Sequence, residues 1–195
     1  MSEFGWKKKE RLTSQARGGP GKAEIELDGR AVRLTNLDRV LYPDSGFTKG
    51  DLIDYYASVA PVLLPHLRDR PLSMRRFPEG VESEGFWEKQ CPDHRPDWVE
   101  TAAIKSESSR RGKVDYCLVN DLSTLVWIAN LGCIELHLSL ALARRRKTPG
   151  FMVFDLDPGK PADILDCAEI ALLIRDTLQG QGLESLAKVS GSKGI

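Results

Sequence analysis

Hydrophobic and polar residues alternate over residues 23–34, on both sides of Asp28-Gly29. This pattern predicts a β-hairpin, because Asp-Gly is a favoured two-residue turn between strands. Thr48 is a good helix N-cap, with Asp51 three residues later as its capping-box partner. Apolar residues follow at helical spacing. Because Pro61 lies inside that run, the helix is expected to kink or to end there.

The second half of the chain alternates short apolar runs with helical patterns. Asp121 is expected to cap one helix, and Pro161 suits the first turn of another that runs to about Gln179. Residues 144–150, with four consecutive cations, predict a basic loop. The apolar runs predict strands, near residues 72–77, 98–104, 113–119, 134–138, 151–156 and 185–189.

Composition limits the protein classes that fit this pattern. A chain of 195 residues can form one domain with a substantial core. Its formal net charge is zero, so any nucleic-acid binding must come from local basic patches. Residues 1–22 are basic and lack periodicity, which predicts a flexible arm before a domain over residues 23–195. No apolar run approaches the roughly 20 residues that span a membrane, so no membrane partner is expected.

The four cysteines are scattered and form no Cys-x-x-Cys pair. Together with the absence of a signal peptide, this favours a reduced, cytoplasmic protein without disulfides. Cys91-Pro92-Asp93-His94 has no second ligand pair at usable spacing, which argues against zinc.

Asp155 and Asp157 close the predicted strand over residues 151–156. Residues i and i+2 of a strand face the same side, about 7 Å apart. Two carboxylates in this arrangement can bind a hard divalent cation through oxygen, and two such ions can clamp the oxygens of a phosphoryl transfer. The alternative is a solvated strand end that runs into an Asp-Pro-Gly turn.

One helix and one predicted strand later, the chain reads Ser190-Gly191-Ser192-Lys193-Gly194. Two glycines allow the backbone to approach a ligand closely, and successive N–H groups can form an anion nest. Such clusters also occur as plain surface turns. An acidic metal site followed by a phosphate-binding loop is the stronger combination, and it indicates a nucleotidyl-transfer site.

These two segments, residues 155–159 and 189–194, together resemble the archaeo-eukaryotic primase superfamily. The greatest resemblance is to the polymerase domain of bacterial ligase D, which acts in non-homologous end joining. It extends from about Ala23 to the last residue. Further stretches in the family's order are residues 34–43, 48–52, 54–56, 70–72, 86–90 and 135–137.

The resemblance implies an α/β or α+β fold, with a mixed sheet flanked by helices as in the primase catalytic core. It implies template-dependent nucleotidyl transfer that fills or extends DNA ends. Asp155 and Asp157 would be catalytic and would bind two metal ions, Mn²⁺ or Mg²⁺. Ribonucleoside or deoxyribonucleoside triphosphates would contact a set of side chains from two segments: His137, Ser190, Ser192 and Lys193. For His137 alone, a structural or solvent-facing role is the alternative.

DNA contacts follow from the same resemblance. Basic residues at the positions of Arg39 and Lys49 bind the 5′-phosphate of the downstream strand. The family commonly has lysine where this chain has Arg39, which keeps the charge and adds a bidentate fork. The end of a helix at Lys49 also offers partial positive charge and free N–H groups. The alternative is two ordinary surface cations.

Phe86 and Trp87 are expected to stack on the template near the break, whereas the alternative is core packing, with at least one ring in the core. Arg75 and Arg76 would bind the DNA backbone, or would form a solvated strand face. Further expected partners are a DNA ligase and an end-binding protein. The resemblance implies a cytoplasmic, nucleoid-associated protein of a bacterium or archaeon.

The sequence departs from the family pattern at its end. The family has a histidine directly after a stretch of Ser-Gly-Ser-Lys-Gly and one hydrophobic residue, and a third acidic ligand on a later strand; the sequence stops at Ile195, before both. The catalytic site is therefore expected to be incomplete in these 195 residues. A non-catalytic module that binds 5′-phosphorylated DNA ends, or a replicative-type primase, are the alternative functions.

Overall fold

The computed structural model describes residues 11–19, 21–107, 109–189 and 193–195. They belong to two compact units, Met1–Gly150 and Phe151–Ile195. Ten strands and three α-helices occur in these described residues. In chain order they are β1 (Arg17–Gly19), β2 (Lys22–Leu27), β3 (Arg30–Thr35), β4 (Val40–Tyr42), β5 (Phe47–Thr48), α1 (Lys49–Leu67), β6 (Leu72–Arg76), β7 (Phe86–Glu88), β8 (Thr101–Lys105), β9 (Lys113–Cys117), α2 (Leu122–Asn130), β10 (Cys133–Leu138) and α3 (Ile164–Gln179).

The predicted hairpin is confirmed as β2 and β3, whose connecting residues Asp28 and Gly29 have φ angles of 52° and 71°. Both angles are positive, as a type I′ turn requires. Strand β1 pairs with β2, and the 3₁₀ turn before it is fastened to α1 because Thr13 N and Oγ1 both donate to the Asp54 carboxylate at 2.8 Å. The described part of the expected flexible arm, from Arg11 onwards, is therefore packed within the first unit.

Helix α1 begins where the sequence predicted. The Thr48 side chain accepts from Asp51 N, and the Asp51 carboxylate accepts from Thr48 N at 2.9 Å, which completes the capping box. The helix does not end at Pro61; it continues to Leu67. Its buried face includes Tyr56, whose hydroxyl donates to the Ile134 carbonyl at 2.8 Å.

A five-stranded sheet forms the centre of the first unit. Strand β6 pairs with β10 along one edge, and with β7 and β9 along the other. The strand pairs of the described residues are all antiparallel. Helix α2, capped by Asp121 as predicted, is almost fully buried and packs on α1, β3 and β10. Separate sheets and helices give an α+β fold, and the predicted fold class is confirmed.

Cys91 and Cys117 form a disulfide with Cα atoms 5.0 Å apart, so the expectation of a chain without disulfides is wrong. Cys91 N also donates to Asp115 O at 2.7 Å. This backbone bond brings the segment after β7 alongside β9, which carries Cys117. Sequence spacing carries no signal for such a tertiary approach.

In the second unit, the predicted strands over residues 151–156 and 185–189 are not formed. The apolar side chains of residues 151–154 are exposed. Helix α3 begins at Ile164 after the N-cap Asp163, so Pro161 precedes it rather than lying in its first turn. An apolar run becomes a strand only when successive backbone groups pair with a neighbouring strand, and the strand pairs of the described residues do not include residues 151–156. At the end of this run, Leu156 exchanges both backbone hydrogen bonds with Ile195, at 3.0 and 3.2 Å. None of the helices in the described ranges is long and apolar enough to cross a membrane.

Candidate functional site

Asp155 and Asp157 are both exposed, and they flank the half-buried Leu156. The backbone hydrogen bonds of Leu156 with Ile195 fix the backbone between Asp155 and Asp157. Both carboxylates therefore reach solvent on either side of this fixed position. Their pairing as one metal site stays a prediction from their spacing.

Gly194 lies directly beside Asp157. A Cβ at position 194 would be 2.7 Å from the Leu156 carbonyl oxygen and 2.8 Å from Asp157 Oδ1, closer than side chains tolerate. The end of the predicted phosphate loop is therefore brought to the acidic pair, and only glycine permits the approach. Lys193 is exposed next to it. Ser190 and Ser192, the other predicted ligands in this loop, lie outside the described residues.

The chemistry of Asp155 and Asp157 fits a divalent metal ion. Exposed carboxylates are the hard oxygen ligands that Mg²⁺ and Mn²⁺ prefer. They supply two ligand residues, and no group of three or more His, Cys, Asp or Glu side chains suited to a metal occurs in the described ranges. Any ion held here would complete its coordination with water or with phosphate oxygens, as Mg²⁺ commonly does.

The first unit contains a basic cavity of about 650 Å³. It brings together Arg39, Lys49 and Arg76, which come from the β3–β4 connection, the start of α1 and the end of β6. The lining also includes the aromatic rings of His94, Trp98 and Trp127. Sequence analysis predicted Arg39 and Lys49 as a pair and assigned Arg76 to the DNA backbone; the fold places all three in this basic cavity.

Lys49 is buried, which the sequence did not indicate. Its ammonium group donates to Asn130 O at 3.0 Å and to Thr35 Oγ1 at 3.2 Å. Burial, together with the positive charges of Arg39 and Arg76, lowers the pKa of Lys49 to about 8. A buried cation between two other cations is expensive, so an anion in the basic cavity would be strongly favoured.

The start of α1 does not offer the free N–H groups that the sequence suggested. Lys49 N donates to Arg39 O and Gly50 N to Leu37 O, both at 2.8 Å. Asp51 N donates to Thr48 Oγ1. The first backbone donors of the helix are therefore occupied, and anion recognition here falls to the side chains.

Two of the cavity cations already have carboxylate partners. Arg76 Nη1 donates to Glu88 at 2.7 Å and its Nε donates to Leu131 O at 3.0 Å. Arg39 Nη1 donates to the Glu79 carboxylate and to Pro78 O. Neither acid was singled out from the sequence. Glu88 faces Arg76 because β7 pairs with β6, a register that no local pattern specifies.

A second cluster lies on the other side of the same strands. In the sheet register, Arg75 is opposite Glu135 on β10 and opposite Trp87 on β7. Arg75 Nη1 donates to Glu135 at 2.9 Å, and its guanidinium lies 5.7 Å from the Trp87 ring centroid. His137 Nε2 is 2.8 Å from Glu135 Oε2, and the His137 and Trp87 rings are 4.4 Å apart. The fold therefore places Arg75, Trp87 and His137, which the sequence analysis had named separately, in one cluster.

Both rings of the Phe86-Trp87 pair are exposed, at 43% and 54%, so the alternative that at least one belongs to the core is wrong. Adjacent residues of a strand face opposite sides. Trp87 accordingly joins Arg75 and His137, whereas Phe86 lies 5.1 Å from the Arg76 guanidinium.

A family model described as "LigD, primase-polymerase domain" matches residues 48–195. The multifunctional non-homologous end joining protein LigD of Mycolicibacterium smegmatis is 39% identical over 166 residues, which is 84% of this chain and 21% of that protein. The bifunctional LigD of Bacillus subtilis is 34% identical over 164 residues, or 84% of this chain and 26% of that protein. The chain thus spans about a fifth to a quarter of these relatives.

Among solved structures, the chain is similar to the polymerase domain of Mycobacterium tuberculosis ligase D in complex with DNA. The TM-score is 0.71 at 38% identity, covering 83% of this chain and 58% of that chain.

Proposed function

The chain belongs to the family of LigD primase-polymerase domains, and from this premise we propose that it serves template-dependent nucleotidyl transfer at DNA ends in non-homologous end joining. The observation that carries the proposal is the basic cavity, where Arg39, Lys49 and Arg76 converge. The cavity would bind the 5′-phosphate of the downstream strand. A terminal phosphate carries close to two negative charges and several strong acceptor oxygens, which matches three converging cations.

The acidic pair would supply the metal site of the same reaction. Asp155 and Asp157 would hold Mn²⁺ or Mg²⁺, and such ions stabilise the charge that develops on transferring phosphoryl groups. Lys193, Ser190, Ser192 and His137 would contact the triphosphate of a ribonucleotide or deoxyribonucleotide. The chain's own residues would act by positioning and by charge, because phosphoryl transfer asks little covalent chemistry of the protein.

Trp87 and Phe86 would stack on template bases. The exposure of each ring supports this role, since base stacking typically contributes about 1–3 kcal/mol and is indifferent to sequence. Arg75, whose guanidinium lies against the Trp87 ring, would contact the DNA backbone. A DNA ligase and an end-binding protein would be partners in the reaction, which would take place in the cytoplasm at the nucleoid.

A second candidate function is binding of 5′-phosphorylated ends without catalysis. It is favoured by one observation: the residues that line the basic cavity all lie in the first unit. This unit could therefore recognise an end independently of the acidic pair. The presence of metal-dependent nucleotide addition distinguishes the two functions.

The binding test uses gapped DNA that differs only in a 5′-phosphate or 5′-hydroxyl at the downstream strand. The wild-type chain is expected to bind the phosphorylated end at least tenfold more tightly, because a charge-assisted contact typically contributes about 1.5–3 kcal/mol. Lys49→Ala should remove most of this difference. Equal losses on both ends would contradict the assignment and leave Lys49 as a general cation. Lys89→Ala, which removes a cation outside the basic cavity, is the matched control.

The catalytic test is primer extension with Mn²⁺ and ribonucleotides. It is run on the 195-residue chain and on a chimera that continues through the family's following strands. Extension by the chimera alone would agree with an incomplete metal site in the shorter chain. Comparable extension by the 195-residue chain would mean that a residue already present supplies the third ligand. No extension by either protein would favour the non-catalytic function.

A further inference from the structure

In the basic cavity, the Glu79 carboxylate is already bound to Arg39. The two side chains form an ion pair, and the Arg39 guanidinium also donates to Pro78 O at 3.3 Å. Both Arg39 and Glu79 line the cavity. An anion that enters must therefore share Arg39 with a carboxylate that is already bound to it.

The turn that carries Glu79 is held firmly by its backbone. Phe77 N donates to Gly132 O at 2.8 Å, and Val81 N donates to Leu41 O at 2.9 Å. Gly80 adopts a φ angle of 98°, and a Cβ there would be 3.1 Å from Leu41 O. These contacts fix where the Glu79 side chain starts, so its carboxylate stays at the edge of the cavity even when it releases Arg39.

The Glu79 pair is also the one most easily opened. The Glu79 side chain is 66% exposed, whereas Glu88, the partner of Arg76, is 24% exposed. Exposed ion pairs are worth little because water and salt screen them. Glu88 does not line the cavity, and the hydrogen bonds of the Lys49 ammonium group among the described residues go to uncharged oxygens. Two carboxylates line the cavity, Glu24 and Glu79, and of these Glu79 is the one that forms an ion pair with a cavity cation in the described residues.

We propose that Glu79 is a built-in competitor that lowers the affinity of the basic cavity for a terminal phosphate. It would hold Arg39 when no DNA end is bound and yield it to a terminal phosphate. A phosphodiester of the DNA backbone carries one negative charge, whereas a terminal phosphate carries nearly two. The terminal phosphate is therefore the anion better able to displace the carboxylate, and its binding would carry the cost of opening the Glu79–Arg39 ion pair. This inference rests on the proposed binding of 5′-phosphates.

The test measures binding of gapped DNA with a 5′-phosphate or a 5′-hydroxyl to the wild-type chain, Glu79→Gln and Glu82→Gln. Glutamine has the size of glutamate without its charge. Glu82 is an exposed carboxylate three positions away and outside the cavity lining, so its substitution removes the same net charge. The expected result is tighter binding of the phosphorylated end by Glu79→Gln, by up to about fivefold, the range that an exposed ion pair supports. The hydroxyl end and Glu82→Gln should change little.

A double-mutant cycle with Arg39 checks that Glu79 acts through this partner. In an Arg39→Gln background, the gain from Glu79→Gln should disappear, because no cation is left to release. Equal gains on both ends, or equal gains from Glu82→Gln, would overturn the proposal in favour of a general charge effect. If the wild-type chain prefers phosphorylated ends but Glu79→Gln changes nothing, only this inference fails. If the wild-type chain shows no preference, the proposed 5′-phosphate function fails with it.

Discussion

The ammonium group of Lys49 donates a hydrogen bond to the backbone carbonyl of Asn130 at 3.0 Å, across 81 positions of sequence. This bond ties the start of α1 to the end of α2 and holds a cation inside the protein. Burial and the nearby Arg39 and Arg76 together bring the pKa of Lys49 down to about 8. Lys49, which looks like a surface cation in the sequence, is therefore a buried residue that lines the basic cavity and has a lowered pKa.

Binding of a 5′-phosphate should depend on pH through Lys49. A bound anion favours the charged form and raises the pKa of Lys49, so binding should take up protons near pH 8. Affinity for a phosphorylated end is expected to fall as pH rises above about 8, while a hydroxyl end changes little. Binding titrations from pH 7 to pH 10 measure this. Lys49→Arg should flatten the profile, and an equally steep profile in that variant would assign the titration to another group.

Folding stability should change with pH in the opposite sense. The unfolded lysine has a pKa near 10.5, and the folded one about 8. Between these values the unfolded chain binds more protons, so the contribution of Lys49 to the free energy of unfolding rises with pH. Denaturation of the wild-type chain and of Lys49→Met at pH 7.5 and pH 10 should show the wild type gaining relative to the variant. A constant difference would mean that Lys49 stays charged in the fold.

Asp155→Asn and Asp157→Asn should each weaken Mn²⁺ binding strongly, because each removes one of two anionic ligands. The fold should be retained, since both side chains are exposed, and relief of their mutual repulsion could stabilise the metal-free protein slightly. Paramagnetic titration with Mn²⁺ measures the binding. Asp176→Asn, an exposed acid on α3, is the control. Unchanged Mn²⁺ affinity in both Asp155→Asn and Asp157→Asn would remove the metal assignment.

Trp87→Ala should weaken binding of DNA with an unpaired template base by about 1–3 kcal/mol, through loss of stacking. Trp87→Phe should retain part of it. Tyr55 has the same 54% exposure as Trp87 but lies on α1, so Tyr55→Ala controls for loss of an exposed ring. Affinity is compared on gapped and fully paired duplexes. An equal loss on both substrates would contradict stacking on the template.

Reduction of the Cys91–Cys117 disulfide should destabilise the first unit. The bridge closes a loop with a sequence separation of 26, and the chain-entropy model gives about 3.5 kcal/mol for that length. Urea denaturation with and without a phosphine reductant measures the change. The buried Cys133, whose pKa is raised to about 12 by burial, should not react under native conditions. A variant with Cys91→Ser and Cys117→Ser should match the reduced protein and show no further effect of reductant.

Local sequence determined much of this fold. The Asp28-Gly29 turn, the capping box of Thr48 and Asp51, and the Asp121 cap are each set by a few neighbouring residues, and each is found where it was predicted. The role of Asp155 and Asp157, which the sequence predicted from their spacing, stays a prediction. The motifs also sufficed to identify the family, because they combine rare residue types in a fixed order.

Tertiary structure decided what surrounds these motifs. The ion pairs of Arg39 and Arg76 and the Cys91–Cys117 disulfide join residues that are not neighbours in sequence. The burial of Lys49 likewise depends on segments from elsewhere in the chain, and no local pattern encodes such contacts. The apolar run over residues 151–154 shows the same dependence, since it predicts a strand but is exposed and forms no strand in the structure. Turns and caps satisfy their hydrogen bonds within a few residues, whereas strands, ion pairs and buried charges depend on partners that only folding brings to them.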